Sequence, residues 1–242
     1  MRKAFVLLMI IAAFLITGCS QDKSPDPDAY GNVTDIDGNT YKTIKIGDQE
    51  WMAENLKVTK YSNGDPIPNV TDSLSWCSLS TGAYCVYNNT ASYADTYGYL
   101  YNWFAVDDSR KIAPEGWHVP TDDDWKELEI YLGMSQSGAN STGYREKDVG
   151  GKLKESGTSH WTSPNTGATN ESGFTALPGG YRYSSNGDFL NMGYNASFWF
   201  SSESSNYYAW NRYLYYSRAG VRRTNYNKKN GFSVRCVRDK AP

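Results

Sequence analysis

Residues 198–216 read FWFSSESSNYYAWNRYLYY, and their spacing points to β-structure. Phe198-Trp199-Phe200 forms one apolar block, and Tyr207 to Tyr216 forms a second. Successive side chains of a strand point to opposite faces. In the second block Tyr208, Trp210 and Leu214 therefore share one face, while Tyr207, Asn211, Tyr213 and Tyr215 share the other. Gly220 to Tyr226 and Phe232 to Val237 extend the pattern. In the last of these Phe232, Val234 and Cys236 point one way, which directs Cys236 to the core.

Upstream, the pattern changes to helix. Pro120 stops the preceding chain, Thr121 caps, and Asp122, Asp123 and Asp124 fill a first turn where the helix dipole favours anions. Trp125, Leu128 and Leu132 recur at helical spacing, and Gly133 ends the run. A second helix is predicted over Ala94 to Val106, with Leu100, Trp103 and Phe104 on one side. Val33 to Met52 reads as a hairpin, turning at Asp37-Gly38 and again at Gly47-Asp48. Residues 62–82 and 133–151, rich in Gly, Ser and Asn, read as loops, with one more helical turn at Lys152 to Glu155.

Arg2 and Lys3, then an apolar run from Ala4 to Ile16, then Thr17-Gly18-Cys19, form an export signal ending in a cysteine. A membrane-spanning helix needs about 20 apolar residues, more than this run supplies. The layout resembles a bacterial lipobox, which implies cleavage before Cys19, its lipidation, and a membrane anchored through that lipid. Residues 1–18 are then a signal peptide, 19–30 a lipidated flexible tether, and 31–242 one domain. Ser20 lacks the acidic residue that commonly retains lipoproteins at an inner membrane, so the outer membrane of the cell envelope is the expected site.

The chain carries 24 basic and 26 acidic residues, and loss of Arg2 and Lys3 makes it more acidic. That balance argues against a nucleic-acid partner. Aromatics are abundant, with 20 Tyr, 8 Trp and 8 Phe. Nine basic side chains lie within 210–242, against the single acid Asp239. They either attract an anionic polymer or pair with the acidic helix start at 122–124, and the internal pairing is preferred.

Catalytic and metal motifs are missing from the sequence. His118 and His160 are the only histidines, neither in a zinc-ligand spacing, and there is no nucleophile elbow, phosphate loop or dinucleotide fingerprint. Asp122, Asp123 and Asp124 diverge around a helix and do not converge on Ca²⁺. Asp35-Ile36-Asp37-Gly38-Asn39 lacks the later bidentate glutamate of a calcium loop and reads as a turn. No cofactor and no catalytic residue are expected.

Several segments, in order, resemble the Fibrobacter succinogenes major paralogous domain, common in exported proteins and lipoproteins of Bacteroidetes and Fibrobacteres. They are Val33 to Tyr41, Trp51 to Leu56, Tyr97 to Trp103, Gly116 to Thr121, Phe174 to Gly180 and Gly231 to Val237. More distantly, Val119-Pro120-Thr121 with Trp125, and Gly231-Phe232 with Arg235-Cys236, resemble formylglycine-generating enzymes, variants of the C-type lectin-like fold. That resemblance implies an α+β, C-type lectin-like fold: two helices, a small antiparallel sheet and long ordered loops. It also implies a disulfide from the early helical region to the final strand. Cys85–Cys236 is the preferred pairing, with Cys77–Cys85 the alternative. The reactive late cysteine pair of those enzymes is absent, as are the calcium-dependent sugar motifs of lectins. The expected function is a lipid-anchored binding module for a glycan or an envelope or host protein, with Tyr207, Asn211, Tyr213 and Tyr215 as candidate ligand contacts. The alternative is an enzyme related to the formylglycine-generating group, acting on a protein or polysaccharide.

Overall fold

The computed structural model describes residues 26–145 and 148–240, so the lipidation site at Cys19 lies outside the described residues. Strands β1 (Tyr30–Thr34), β2 (Thr40–Ile46) and β3 (Gln49–Met52) come first. Helix α1 (Ser73–Ser78), β4 (Tyr84–Cys85), α2 (Tyr93–Tyr97), β5 (Leu100–Tyr101), α3 (Trp103–Val106) and β6 (Trp117–His118) follow. Helix α4 (Asp122–Tyr131) precedes α5 (Gln136–Asn140), β7 (Gly143–Arg145) and α6 (Val149–Leu153). The chain then runs through β8 (Gly179–Arg182), β9 (Phe189–Met192), β10 (Asn195–Ser205), β11 (Tyr208–Tyr215), β12 (Val221–Asn227) and β13 (Val237–Arg238).

These strands form a five-stranded sheet in the order β1-β2-β3-β13-β6, a six-stranded sheet in the order β7-β12-β11-β10-β8-β9, and the pair β4-β5. The architecture is mainly β, and it overturns the expected two-helix, C-type lectin-like α+β fold. The Ala94–Val106 helix is also corrected. Gly98 takes φ +68° where a side chain would strike Asn55 and Leu56, which ends α2. Asn102 then caps a separate α3 by accepting from the Ala105 N–H at 3.1 Å. Between them β5 pairs with β4, and Tyr101 exchanges backbone hydrogen bonds with Phe232.

Three further readings are corrected. The expected loop at 62–82 carries α1. The expected loop at 133–151 carries α5, β7 and the start of α6, which replaces the turn expected at Lys152 to Glu155. Of the expected strand Phe232 to Val237, only Val237 joins a strand, β13. The first hairpin and the α4 cap stand. The 33–52 stretch folds as a three-stranded meander. Its first turn is tied by the Asp35 carboxylate, which accepts from the Asp37 and Asn39 N–H groups at 2.9 Å and the Tyr41 hydroxyl at 2.6 Å. Thr121 and Asp124 close a reciprocal capping box on α4. Trp125 on α4 meets Trp51 of the five-stranded sheet at 5.1 Å and Phe198 of the six-stranded sheet at 5.9 Å. The closing segment stitches the same two sheets by backbone bonds. Ser233 donates to the Ser197 carbonyl and accepts from the Trp199 N–H, and the Cys236 carbonyl accepts from the Met52 N–H.

The Cys85–Cys236 disulfide does not form. Both residues are buried free thiols. Cys85 lies with Trp76, Ala83 and Leu100, whereas Cys236 lies in the larger cluster and receives no partner but Met52, whose sulfur accepts from the Cys236 N–H at 3.4 Å. Burial pushes the Cys85 thiol up to about 12 and raises that of Cys236 as well. Both behave as small apolar core residues.

The six-stranded sheet is bound to α4 by a buried ion network. Glu129 receives paired hydrogen bonds from Arg145 on β7, at 2.9 and 2.6 Å, and from Arg212 on β11, at 2.7 and 3.2 Å. Asp122 receives Arg212 at 3.0 Å and Arg223 on β12 at 2.9 and 2.7 Å. Although burial alone would raise it, these guanidiniums hold the Asp122 carboxyl well below the usual range. Removing one member of such a network strands buried charge and costs about 3–5 kcal/mol. Glu129→Ala is therefore expected to destabilise the protein by that amount in equilibrium urea unfolding. A loss below about 1 kcal/mol would show that the network is not what holds α4.

Candidate ligand-binding face

Arg212, Leu214 and Arg223 point to the α4 side of the six-stranded sheet, so their neighbours along each strand point to the other. Register then assembles a row on that second face. Ser197 on β10 lies opposite Tyr213 on β11, Tyr213 opposite Arg222 on β12, and Arg222 opposite Tyr144 on β7. Directly opposed residues share a face. On the far side β8 runs parallel to β10 with Gly180 beside Ala196, which brings Tyr181 next to Ser197. The adjoining positions are Asn195 opposite Tyr215, and Asn211 opposite both Trp199 and Thr224.

The tyrosines tile this face. Tyr213 stacks on Tyr215 at 5.9 Å and 21°. Tyr181 and Tyr226 pack edge-on against Phe232 at 5.8 and 5.3 Å, which closes one end of the face with the core. Burial raises the hydroxyls of Tyr144, Tyr181 and Tyr213 above the ordinary tyrosine range, so all three stay protonated and able to donate.

Between the rings lies unspent hydrogen-bonding capacity. Ser197 Oγ and Asn211 Oδ1 are buried and close no hydrogen bond. The buried Asn195 amide has no partner at full hydrogen-bond geometry, with the Tyr213 hydroxyl the nearby group. Asn195 sits near enough to the Tyr213 hydroxyl to influence its ionisation. Asn211 spends only its Nδ2, which donates to the Phe198 carbonyl at 3.0 Å. Each buried unpaired polar group costs about 1–3 kcal/mol. Their concentration on one face is the most site-like feature of the sheet.

A family model described as the Fibrobacter succinogenes major domain matches residues 44–238. The chain belongs to this family. No curated protein and no solved structure matches the chain. The part of the chain that matches the Fibrobacter succinogenes major domain contains the whole six-stranded sheet, α4 and every residue of the tyrosine row.

Of the four residues expected as ligand contacts, the structure brings three together on this face. Asn211 is its fully buried floor, and Tyr213 and Tyr215 are half-buried rings upon it. Tyr207 stands apart, 73% exposed in the turn between β10 and β11. Sequence reasoning missed Tyr144, Tyr181, Asn195, Ser197 and Arg222. Period-two alternation names the residues of one strand that share a face, but strand order and register decide which neighbours join them.

One buried cation fixes the edge of the face. Lys154 Nζ donates to the carbonyls of Thr166 at 3.0 Å, Tyr215 at 3.3 Å and Arg218 at 3.0 Å. It thereby grips the turn between β11 and β12. Burial without a carboxylate pushes its ammonium down to about 8.

The histidines lie elsewhere. His118 is held between Asp239 at 2.6 Å and Asp124 at 3.1 Å, and these carboxylates raise its pKa against the opposing effect of burial. His160 Nδ1 meets Glu155 at 2.8 Å, and Tyr97 packs edge-on to its ring. Among the described residues no three His, Cys, Asp or Glu side chains converge as a metal site.

Proposed function

We propose that the chain is a lipid-anchored, extracytoplasmic binding module whose tyrosine face holds a glycan. The observation that supports this reading is the pairing of stacked Tyr213 and Tyr215 with the buried polar groups of Asn195, Ser197 and Asn211. Sugar rings present apolar C–H faces to aromatic rings and hydroxyls around their edges. The tyrosines suit the first, and the amide and hydroxyl groups suit the second. Those polar groups are covered at rest, so a sugar hydroxyl reaches them as a half-buried ring turns aside. A protein partner is the competing occupant.

The anchor rests on the leader that ends at Cys19. One acyl chain binds a membrane only marginally, whereas two or more hold firmly. Cys19→Ala is expected to abolish incorporation of radiolabelled palmitate; equal labelling of variant and parent would refute the anchor.

For the face, purified full-length protein is expected to bind on a glycan array. Tyr213→Ala should weaken that binding about 5- to 150-fold, the equivalent of losing one stacking contact of about 1–3 kcal/mol. Unchanged affinity with a lowered melting temperature would assign Tyr213 to the core alone. Binding to envelope proteins and to no glycan would overturn the glycan reading, as would turnover of a polysaccharide for the binding-module reading.

A further inference from the structure

Most basic side chains of the C-terminal segment have partners inside the protein. Arg212 and Arg223 serve Asp122, Lys228 pairs with Glu203, Arg238 with Glu50 and Lys240 with Glu127. Lys229 donates to the Cys77 carbonyl at 2.8 Å. Arg235 is buried against the Asn55 side chain and the carbonyls of Phe174 and Thr175. Arg218 and Arg222 differ. Among the described residues neither has an ion-pair partner.

Both guanidiniums instead lie over one ring. Arg218 Cζ is 4.6 Å and Arg222 Cζ 5.8 Å from the centroid of Tyr144. An exposed cation–π contact is worth about 0.5–1 kcal/mol. Two like charges sharing a ring repel, and an anion placed between them removes the repulsion. Arg222 belongs to the tyrosine row, directly opposite Tyr213. Arg218 stands beyond the end of that row, where it lines a cleft of about 590 Å³ with Tyr144, Arg145, Thr166, Ser217 and Gly220. Tyr144 is the residue the cleft shares with the row, and Arg222 approaches the cleft over the Tyr144 ring. The cleft's size lies within the range of small-ligand sites, about 300–1,000 Å³. The backbone beneath is held by Lys154 through the Tyr215 and Arg218 carbonyls, so the turn presents its charge from a fixed position.

We infer that the ligand of this face is an acidic glycan, whose uronate carboxylates are received by Arg218 and Arg222 at the Tyr144 end of the tyrosine row. The inference rests on the glycan reading above. It adds the chemical class: a planar guanidinium matches a carboxylate through two parallel N–H···O bonds, while Tyr213 and Tyr215 take the ring faces of neighbouring sugars.

The test is calorimetric titration of the full-length protein with three probes: an oligogalacturonate, its methyl ester and polyglutamate. The oligogalacturonate is expected to bind at least about tenfold more tightly than the ester, a difference of about 1.4 kcal/mol. The advantage should shrink as salt rises. Arg218→Gln with Arg222→Gln should reduce the acid to the affinity of the ester. Arg218→Gln alone, in an exposed turn, should lower it part-way without changing the melting temperature. Tyr213→Ala should weaken acid and ester alike. Equal binding of acid and ester overturns the acidic class and leaves the glycan reading standing. Polyglutamate binding as tightly as the oligogalacturonate overturns the sugar part of the inference. If neither sugar binds and the array is also blank, the glycan reading fails with it.

Discussion

Two carboxylates and three guanidiniums, buried together between α4 and the six-stranded sheet, are the constraint on which the rest of the structure depends. Asp122 and Glu129 lie on one side of α4, and Arg145, Arg212 and Arg223 come from the three adjacent strands β7, β11 and β12. Buried charge is tolerated only when it is paired and hydrogen-bonded. The helix therefore has one place to sit on the sheet, and the strands one register in which the arginines reach it. Trp125 adds aromatic packing against both sheets, but packing of that kind accepts small displacements that a bidentate ion pair does not.

Committing one face of the sheet to α4 determines what the other face can be. Because side chains alternate, each residue aimed at the network places its neighbours on the opposite surface. Arg212 places Asn211 and Tyr213 there, and Arg223 places Arg222 and Thr224. The same short segments therefore build the α4 core on one side. The other side is covered at one end by the core of Trp199, Ala209 and Phe232, and carries tyrosines, amides and a guanidinium at the other end. Lys154 completes the arrangement by holding the turn that carries Arg218. The unpaired polar groups of Ser197 and Asn211 weaken the fold where they sit, a cost consistent with a surface shaped for binding rather than for stability alone.

Local chemistry was the legible part of the sequence. The Thr121 cap with its acidic first turn and the Asp37-Gly38 turn each depend on residues a few positions apart. Cys236 is buried as expected, but so are Ser233, Arg235 and Val237, so no alternation places it there. The preference for internal pairing of the C-terminal arginines was also sound, since Arg212 and Arg223 do meet Asp122 at the start of α4. What failed depended on distant partners. Gly98 and Asn102 break the predicted helix at 94–106 because Leu56, Ala83 and Phe232 offer that backbone other hydrogen bonds. Two-residue strands such as β4, β5, β6 and β13 are too short to show a period, so the β4-β5 pair and the closing strands of the five-stranded sheet are invisible. The two-helix fold came from the distant resemblance and not from the pattern of the residues. The candidate face was half legible for the same reason. Asn211, Tyr213 and Tyr215 share a strand, but Tyr144, Asn195, Ser197 and Arg222 join them only through register. Tyr207 follows the right parity yet falls in a turn.

The central claim is that α4 and the ligand occupy opposite faces of one sheet. Chemical-shift mapping by NMR, with an oligouronate titrated into isotope-labelled protein, tests this most directly. The account predicts shifts concentrated at Tyr144, Ser197, Asn211, Tyr213, Tyr215 and Arg222, with the side chains of Arg212, Leu214 and Glu129 unmoved. Shifts centred on α4 or on the five-stranded sheet, with the tyrosine row silent, would contradict it.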